Sequence, residues 1–290
     1  MATDFATNPT TTSTFDDVSY SAIITDEVLE ALMAIVVTPQ LLNRYDIMGQ
    51  ATKAVKIPKA DKFTAAAVSE GTELTNTALT TTSVTITASE IGIQATITDV
   101  LDVSDISSAQ GARLKQLGRA LADKVDIDIC ALLSGFSTSV GGTGVNLSLT
   151  NVLDAIYNLE VADAAGLGAL VGVLHPRQTA DIRTEIEADG TGVYDSKTDA
   201  DLSKSQAGFF GNWMDINFYQ STNVATANVG ADRAGAIFVN DYALGMVEKW
   251  SARVEAMRWA PIRGFVLVAT AMYGVGEVED LAGVAVTTDA

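Results

Sequence analysis

From Thr82 to Thr98 the sequence alternates between apolar and polar residues. Val84, Ile86 and Ala88 stand among threonines and Ser89, and Ile91, Ile93, Ala95 and Ile97 continue the alternation. Period-two patterning specifies a strand with one apolar and one polar face. The apolar set moves from even to odd positions at Ser89–Glu90. That shift predicts a bulge or a change of partner, because a one-residue slip turns every side chain to the other face. At about 3.3 Å per residue the segment spans roughly 55 Å. A compact chain of 290 residues has a radius of gyration of about 19 Å, hence a diameter near ~50 Å. A strand of that length predicts an arm that leaves its own globule and reaches a neighbour.

The chain is 48% hydrophobic, enough for a substantial core in one large domain or two modest ones. It lacks an apolar run of about 18 residues, so no membrane span is expected. Residues 1–20 are polar and threonine-rich, without the basic-then-apolar order of a secretory signal. The one cysteine, Cys130, has no intramolecular partner, which fits a reducing cytosol during synthesis. The one histidine, His175, argues against histidine-based metal sites and proton relays. With 36 acidic against 18 basic residues the net charge is −18. Such a surface repels phosphate backbones, so specific nucleic-acid readout is not expected.

Residues 1–20 read as an arm, and Val28, Leu29, Leu32, Ile35 and Val36 as a helix closed by Pro39. The extended segment Lys53–Asp99 follows, its loop marked by Gly71 and Asn76. A long helix is predicted over Ser107–Leu133, with Leu114, Leu117, Leu121, Val125, Ile129 and Leu132 on one stripe and Ser107 or Ser108 as its cap. From Leu147 the pattern becomes α/β. Helix Thr150–Val161 should bury Val152, Leu153, Ile156 and Leu159, and strand Ala169–Leu174 should precede helix Arg177–Glu187. Asp189–Ala207 reads as a loop, and Ile216–Tyr219, Ala236–Asn240, Trp250–Met257, Phe265–Tyr273 and Val284–Val286 as strands.

None of the chemical candidates has a complete motif. Asp123, Asp126 and Asp128 form a carboxylate cluster, but on a helix Asp128 points away from the other two, and a solvated face is expected. The acidic stretch 187–201 lacks the ligand spacing and terminal glutamate of a calcium loop. Gly141-Gly142-Thr143-Gly144 lacks the following Lys-Ser/Thr of a phosphate cradle and reads as a linker. His175 should cap or pack at a strand-to-helix junction, and Cys130 should fill the core. No catalytic residue, cofactor site or metal site is assigned. Lys53, Lys56, Lys59 and Lys62 concentrate four basic residues on the outgoing limb, with Glu70 and Glu73 near the loop tip. These six are the candidate intersubunit contacts: a basic flank that an acidic neighbour attracts.

Several local motifs, in order, resemble the major capsid proteins of tailed bacteriophages with the Hong Kong ninety-seven type of fold. They are Val55-Lys56-Ile57-Pro58-Lys59, Val68-Ser69-Glu70-Gly71-Thr72-Glu73, Ile97-Thr98-Asp99-Val100-Leu101, Phe210-Gly211 ahead of Met214-Asp215-Ile216, and Tyr273-Gly274-Val275. The resemblance implies an α+β chain with an N-terminal arm (1–22), an N-terminal helix region (23–50) and an extended β-hairpin loop (51–100). It also implies a peripheral spine domain (101–146 and 240–272) with a long helix and spine strands, and an α/β axial domain (147–239 and 273–290).

It further implies a structural protein, not an enzyme, that assembles with itself into pentamers and hexamers of an icosahedral virion shell. The shell would form in the bacterial cytoplasm and enclose double-stranded DNA without reading its sequence. No cofactor and no membrane are implied. About 20 residues precede the first expected helix, so a separate scaffolding protein is expected, with a portal and an optional decoration protein as further partners. Two alternatives remain open at this point: an encapsulin-like compartment shell and a soluble α/β enzyme using the acidic loop.

Overall fold

The computed structural model describes residues 38–60, 65, 67–71, 73, 78, 81–104, 109–188, 209–213 and 216–289. The expected arm, the helix near Val28–Val36, the cap at Ser107 or Ser108, Lys62 and the acidic loop beyond Ala188 lie outside the described residues. A 3₁₀ turn, Thr38–Leu41, leads into β1 (Asn43–Asp46). There follow β2 (Ala54–Ala60), β3 (Thr81–Thr87), β4 (Ser89–Thr98), α1 (Asp99–Ser104), α2 (Ala109–Leu132), β5 (Ser139–Gly141) and α3 (Leu149–Val161). Next come β6 (Leu170–Leu174), α4 (Pro176–Ala188), β7 (Phe209–Trp213), β8 (Ile216–Gln220) and β9 (Thr226–Ala227). The chain ends through β10 (Asp232–Val239), β11 (Leu244–Trp259), β12 (Gly264–Glu277) and β13 (Gly283–Asp289).

These strands make three sheets. One is four-stranded in the order β1-β11-β12-β4, and a second is seven-stranded, β5-β13-β10-β6-β8-β7, with β9 beside β10. The third is a two-stranded ribbon of β2 and β3. The alternation over Thr82–Thr98 therefore belongs to two strands. β3 pairs with β2 and β4 pairs with β12, so the expected change of partner occurs, at Ala88. Half of the segment is part of the body: Thr96 and Ile97 are buried in the four-stranded sheet.

Helix α2 joins the two larger sheets. Leu121 packs with Ile97, Leu101, Leu267 and Ala269 on the four-stranded side. Ile129, Cys130 and Leu133 enter the larger core with Phe136, Val173, Phe238 and Val286. Val125 and Leu132 are half-buried, as a stripe at three- and four-residue spacing requires. β6 is apolar on both faces because its two neighbours, β10 and β8, place it inside the sheet. Gly172 lets β6 pass beneath the Phe218 ring, which a Cβ would strike.

Two expectations are corrected. Asp126 is not on a solvated face; it is fully buried. It accepts hydrogen bonds from the Thr38 N–H (3.1 Å), the Thr38 hydroxyl (2.6 Å), the Ser221 hydroxyl (2.9 Å) and the Asn223 amide (2.9 Å). Leu153 is not in the core: it is exposed, while Val152, Ala155 and Leu159 carry the buried stripe of α3. In a 3.6-residue period, position 153 lies about 100° from 152 and falls on the outer ladder with Tyr157 and Val161. The short helix α1 was not foreseen.

Replacing Asp126 by alanine strands several buried donors, each costing about 1–3 kcal/mol. Denaturant unfolding of Asp126→Ala should therefore show a loss of about 3–5 kcal/mol. Asp126→Asn should also destabilise, because its amide would face the Asn223 amide, donor against donor.

Candidate self-assembly surface

The ribbon of β2 and β3 is in register from Ala54↔Thr87 to Ala60↔Thr81. Its strands are rich in Thr, Val and Ile, residues that fit a pleated surface. Pro58 lacks an N–H and is tolerated because both strands of a ribbon are edges. The root of the ribbon is anchored: Ile86 is buried with Ile47, Ala88, Val247 and Met272, and Val55, Ile57 and Val84 pack against that cluster. Gly274 and Gly276 shape the seat. A Cβ on Gly274 would collide with the backbone at Thr87, and one on Gly276 would press on Ile86. The Ala88 N–H donates to the Lys53 carbonyl at 2.7 Å and closes the root.

The outer part is different. Thr81, Thr82 and Ser83 are exposed, and so is every described residue between Ala65 and Ala78, Val68 included. A turn lies at Glu70–Gly71, with Gly71 at φ +82°, a conformation glycine adopts freely. The ribbon thus has an apolar root in its own subunit, and the described residues of its outer end are exposed.

The sequence-selected residues fall along this gradient. Lys53 and Lys56 are exposed near the root, and Glu70 and Glu73 are exposed at the outer end. Lys59 has a partner in its own chain: its ammonium lies 3.2 Å from the Glu279 carboxylate, in the turn joining β12 to β13. That turn is acidic. Burial and the neighbouring Asp280 push the Glu277 carboxyl above its ordinary range. Hydrogen bonds from Ser137, including its N–H at 2.8 Å, hold Asp280 below its own. Glu279 was not foreseen as a partner of Lys59, since 220 residues of sequence separate them and only the tertiary fold joins them.

The other candidates resolve into structural roles. Asp128 accepts from the Tyr273 hydroxyl at 2.7 Å and from Lys124 at 2.6 Å. The Arg177 N–H donates to His175 Nδ1 at 3.2 Å, the capping role expected at the start of α4. Desolvation, then the nearby Arg233 charge, holds the imidazole below its ordinary pKa. Gly141 and Gly144 turn with positive φ, and the Gly142 N–H donates to Thr287. No group of metal-ligating side chains and no helix long and apolar enough to cross a membrane occurs among the described residues.

A long helix between a four-stranded and a seven-stranded sheet, with a two-stranded arm projecting from its seat, is the capsid-subunit fold of tailed phages. No family model and no curated protein sequence matches the chain, so the likeness is carried by solved structures. A structure from Mycobacterium phage Che8 superposes with TM-score 0.72 at 22% identity, over 92% of this chain and 96% of that one. The capsid of cyanophage P-SCSP1u gives 0.65 at 16% identity, covering 94% of each chain. The capsid of Myoviridae phage XM1 gives 0.65 at 14%, over 92% of this chain and 96% of the other. The chain is α+β with this fold across nearly its whole length.

Burial pushes the Cys130 thiol up to about 12, helped by the Asp126 charge. Burial and Asp128 likewise raise the Tyr273 phenol. A raised acid keeps its proton in the folded state where the unfolded chain loses it. Stability from Cys130 is therefore complete below about pH 9 and is lost as pH rises toward about 12. Thermal melts should fall steadily over that window. A thiol reagent at pH 8 should label the unfolded chain and leave the native one unlabelled.

Proposed function

We propose that this chain is a major capsid protein, which assembles with itself into pentamers and hexamers of an icosahedral shell around the double-stranded DNA of a tailed phage. The observation that carries the reading is the ribbon: it is anchored at Ile86 by its own subunit, while Thr81, Thr82, Ser83 and every described residue between Ala65 and Ala78 are exposed. An exposed two-stranded ribbon is not independently stable in water and gains its partners from another molecule. The fold shared with phage capsids over more than nine-tenths of the chain supports the same reading.

In it, residues 51–100 form the extended loop, 101–146 and 240–272 the peripheral domain, and 147–239 and 273–290 the axial domain, with residues 1–22 as an arm over a neighbour. Lys53, Lys56 and Lys62 face the acidic body of the adjacent copy, and Lys59 does so while bound to Glu279. Glu70 and Glu73 meet that copy from the loop tip. The net charge of −18 keeps the wall from gripping the genome. The reading contains no catalytic step and no cofactor. A scaffolding protein, a portal and a decoration protein are its further partners.

Electron microscopy of the protein, alone and co-expressed with a scaffold from the same genome, should show uniform closed shells. A monomer or dimer under every condition would overturn the reading, and shells that enclose an enzyme in place of DNA would mark a storage compartment. Replacing residues 61–80 by a short turn should leave the thermal melt within about 2 °C of the parent and abolish shells. That expectation follows because the described residues of the removed part are all exposed. Charge reversal at Lys53 and Lys56 should slow assembly most at low salt, where the Debye length is about 30 Å.

A further inference from the structure

Helix α4 starts with a reciprocal lock. The Arg177 N–H donates to His175 Nδ1 at 3.2 Å, and the His175 N–H donates to Gln178 Oε1 at 2.9 Å. Two backbone donors that a helix start leaves without partners are thus satisfied by side chains three residues apart, the arrangement of a capping box. Ser or Thr ordinarily fills the capping position, and its hydroxyl oxygen accepts whatever the pH. Here the cap is the one histidine of the chain. An imidazole accepts at Nδ1 only while neutral, with its proton on Nε2. An imidazolium donates from both nitrogens and has nothing to offer the Arg177 N–H.

The lock holds more than the helix. Gln178 is fully buried, and its amide reaches the Arg233 carbonyl of β10 at 3.1 Å and, on β13, the Val286 carbonyl at 3.1 Å and the Thr288 hydroxyl at 2.8 Å. The Thr179 hydroxyl accepts from the Gln220 amide of β8 at 2.7 Å. The first turn of α4 therefore grips three strands of the seven-stranded sheet.

The surroundings oppose a positive charge on His175. Gly235 lies beneath Gln178, where a Cβ would meet the Gln178 amide oxygen. Arg233, two residues earlier, shares that face of β10, and its guanidinium donates to the Val224 carbonyl at 3.2 Å. Burial first, and then the Arg233 charge, lower the imidazole pKa. The positive end of the helix dipole acts in the same sense. On α4 itself Arg177 lies 3.7 Å from Asp181. Gln220, Ser221 and Asn223, of β8 and the turn after it, are uncharged. Asp126 is taken by Thr38, Ser221 and Asn223. Asp232 and its β13 partner Asp289 alternate to the other face of the sheet.

We propose that the His175–Gln178 lock is an acid-sensitive switch: neutral His175 closes the first turn of α4 on the sheet, and a proton on His175 opens that turn and loosens its grip on β8, β10 and β13. The switch belongs to the single subunit and is independent of any shell. A histidine whose folded pKa lies below its unfolded value of about 6.5 adds stability that is complete above that value and is lost as pH falls through the folded one.

The test uses the full chain, whose single imidazole gives an unambiguous NMR titration. His175 should titrate below about 6.5. Hydrogen exchange at the Arg177 amide, corrected for its intrinsic pH dependence, should rise about tenfold or more across the same titration. His175→Asn supplies an oxygen that accepts without titrating and should keep Arg177 protected. Between about pH 7 and about pH 5 the parent melt should fall about 2–4 °C further than that of the variant. A histidine titrating at or above about 6.5, or Arg177 exchange that does not follow it, would overturn the switch, and so would parallel melts of parent and variant. If His175→Asn does not fold, the titration and the exchange of the unaltered chain decide.

Discussion

Helix α2 is held from two sides by two carboxylates that are two residues apart. Asp126 turns inward to the 3₁₀ turn at Thr38 and to Ser221 and Asn223 beyond β8. Asp128 turns the other way, to Tyr273 of β12. Two residues on a helix differ by about 200°, so the pair necessarily faces opposite directions. The helix is thereby fixed between the two large sheets, and the apolar contacts at Leu121 and Ile129 complete the joint. Loosening that joint would let the sheets turn against each other, and with them the seat on which the ribbon stands.

The ribbon depends on that joint because its root rests on β11 and β12. Ile86 is buried over Gly276 and beside Val247, whereas Thr81, Thr82 and Ser83 are exposed. Burial therefore falls from root to tip along one pair of strands. The Lys59–Glu279 pair lies between these regimes, half-exposed, where an ion pair contributes at most about 1 kcal/mol. The pair links the ribbon to the β12–β13 turn.

Much of this was legible in the sequence. The parity shift at Ser89–Glu90 marked the place where the chain leaves β2 for β12, because side-chain alternation records which face is covered. The leucine and isoleucine spacing marked α2 to within two residues of its start and one of its end. Asp126 was not legible. Its partners lie 88, 95 and 97 residues away, and a helix with Asp at 123, 126 and 128 looks solvated to any local reading. Leu153 misled for the opposite reason: an apolar residue beside a buried stripe is assigned to it by periodicity, and only the sheet beneath shows where the stripe ends. The Lys59–Glu279 pair was half visible, as a basic cluster in need of acidic company.

Cys130 has a practical consequence. It is the sole sulfhydryl of the chain, sealed in the interior beside Ile129 and Leu133. Its own chain offers no second thiol, and burial keeps it from the thiol of any other copy. A cysteine introduced on the ribbon would become the single addressable handle of the molecule, and a dye or spin label placed there would report on that element with no background from the rest.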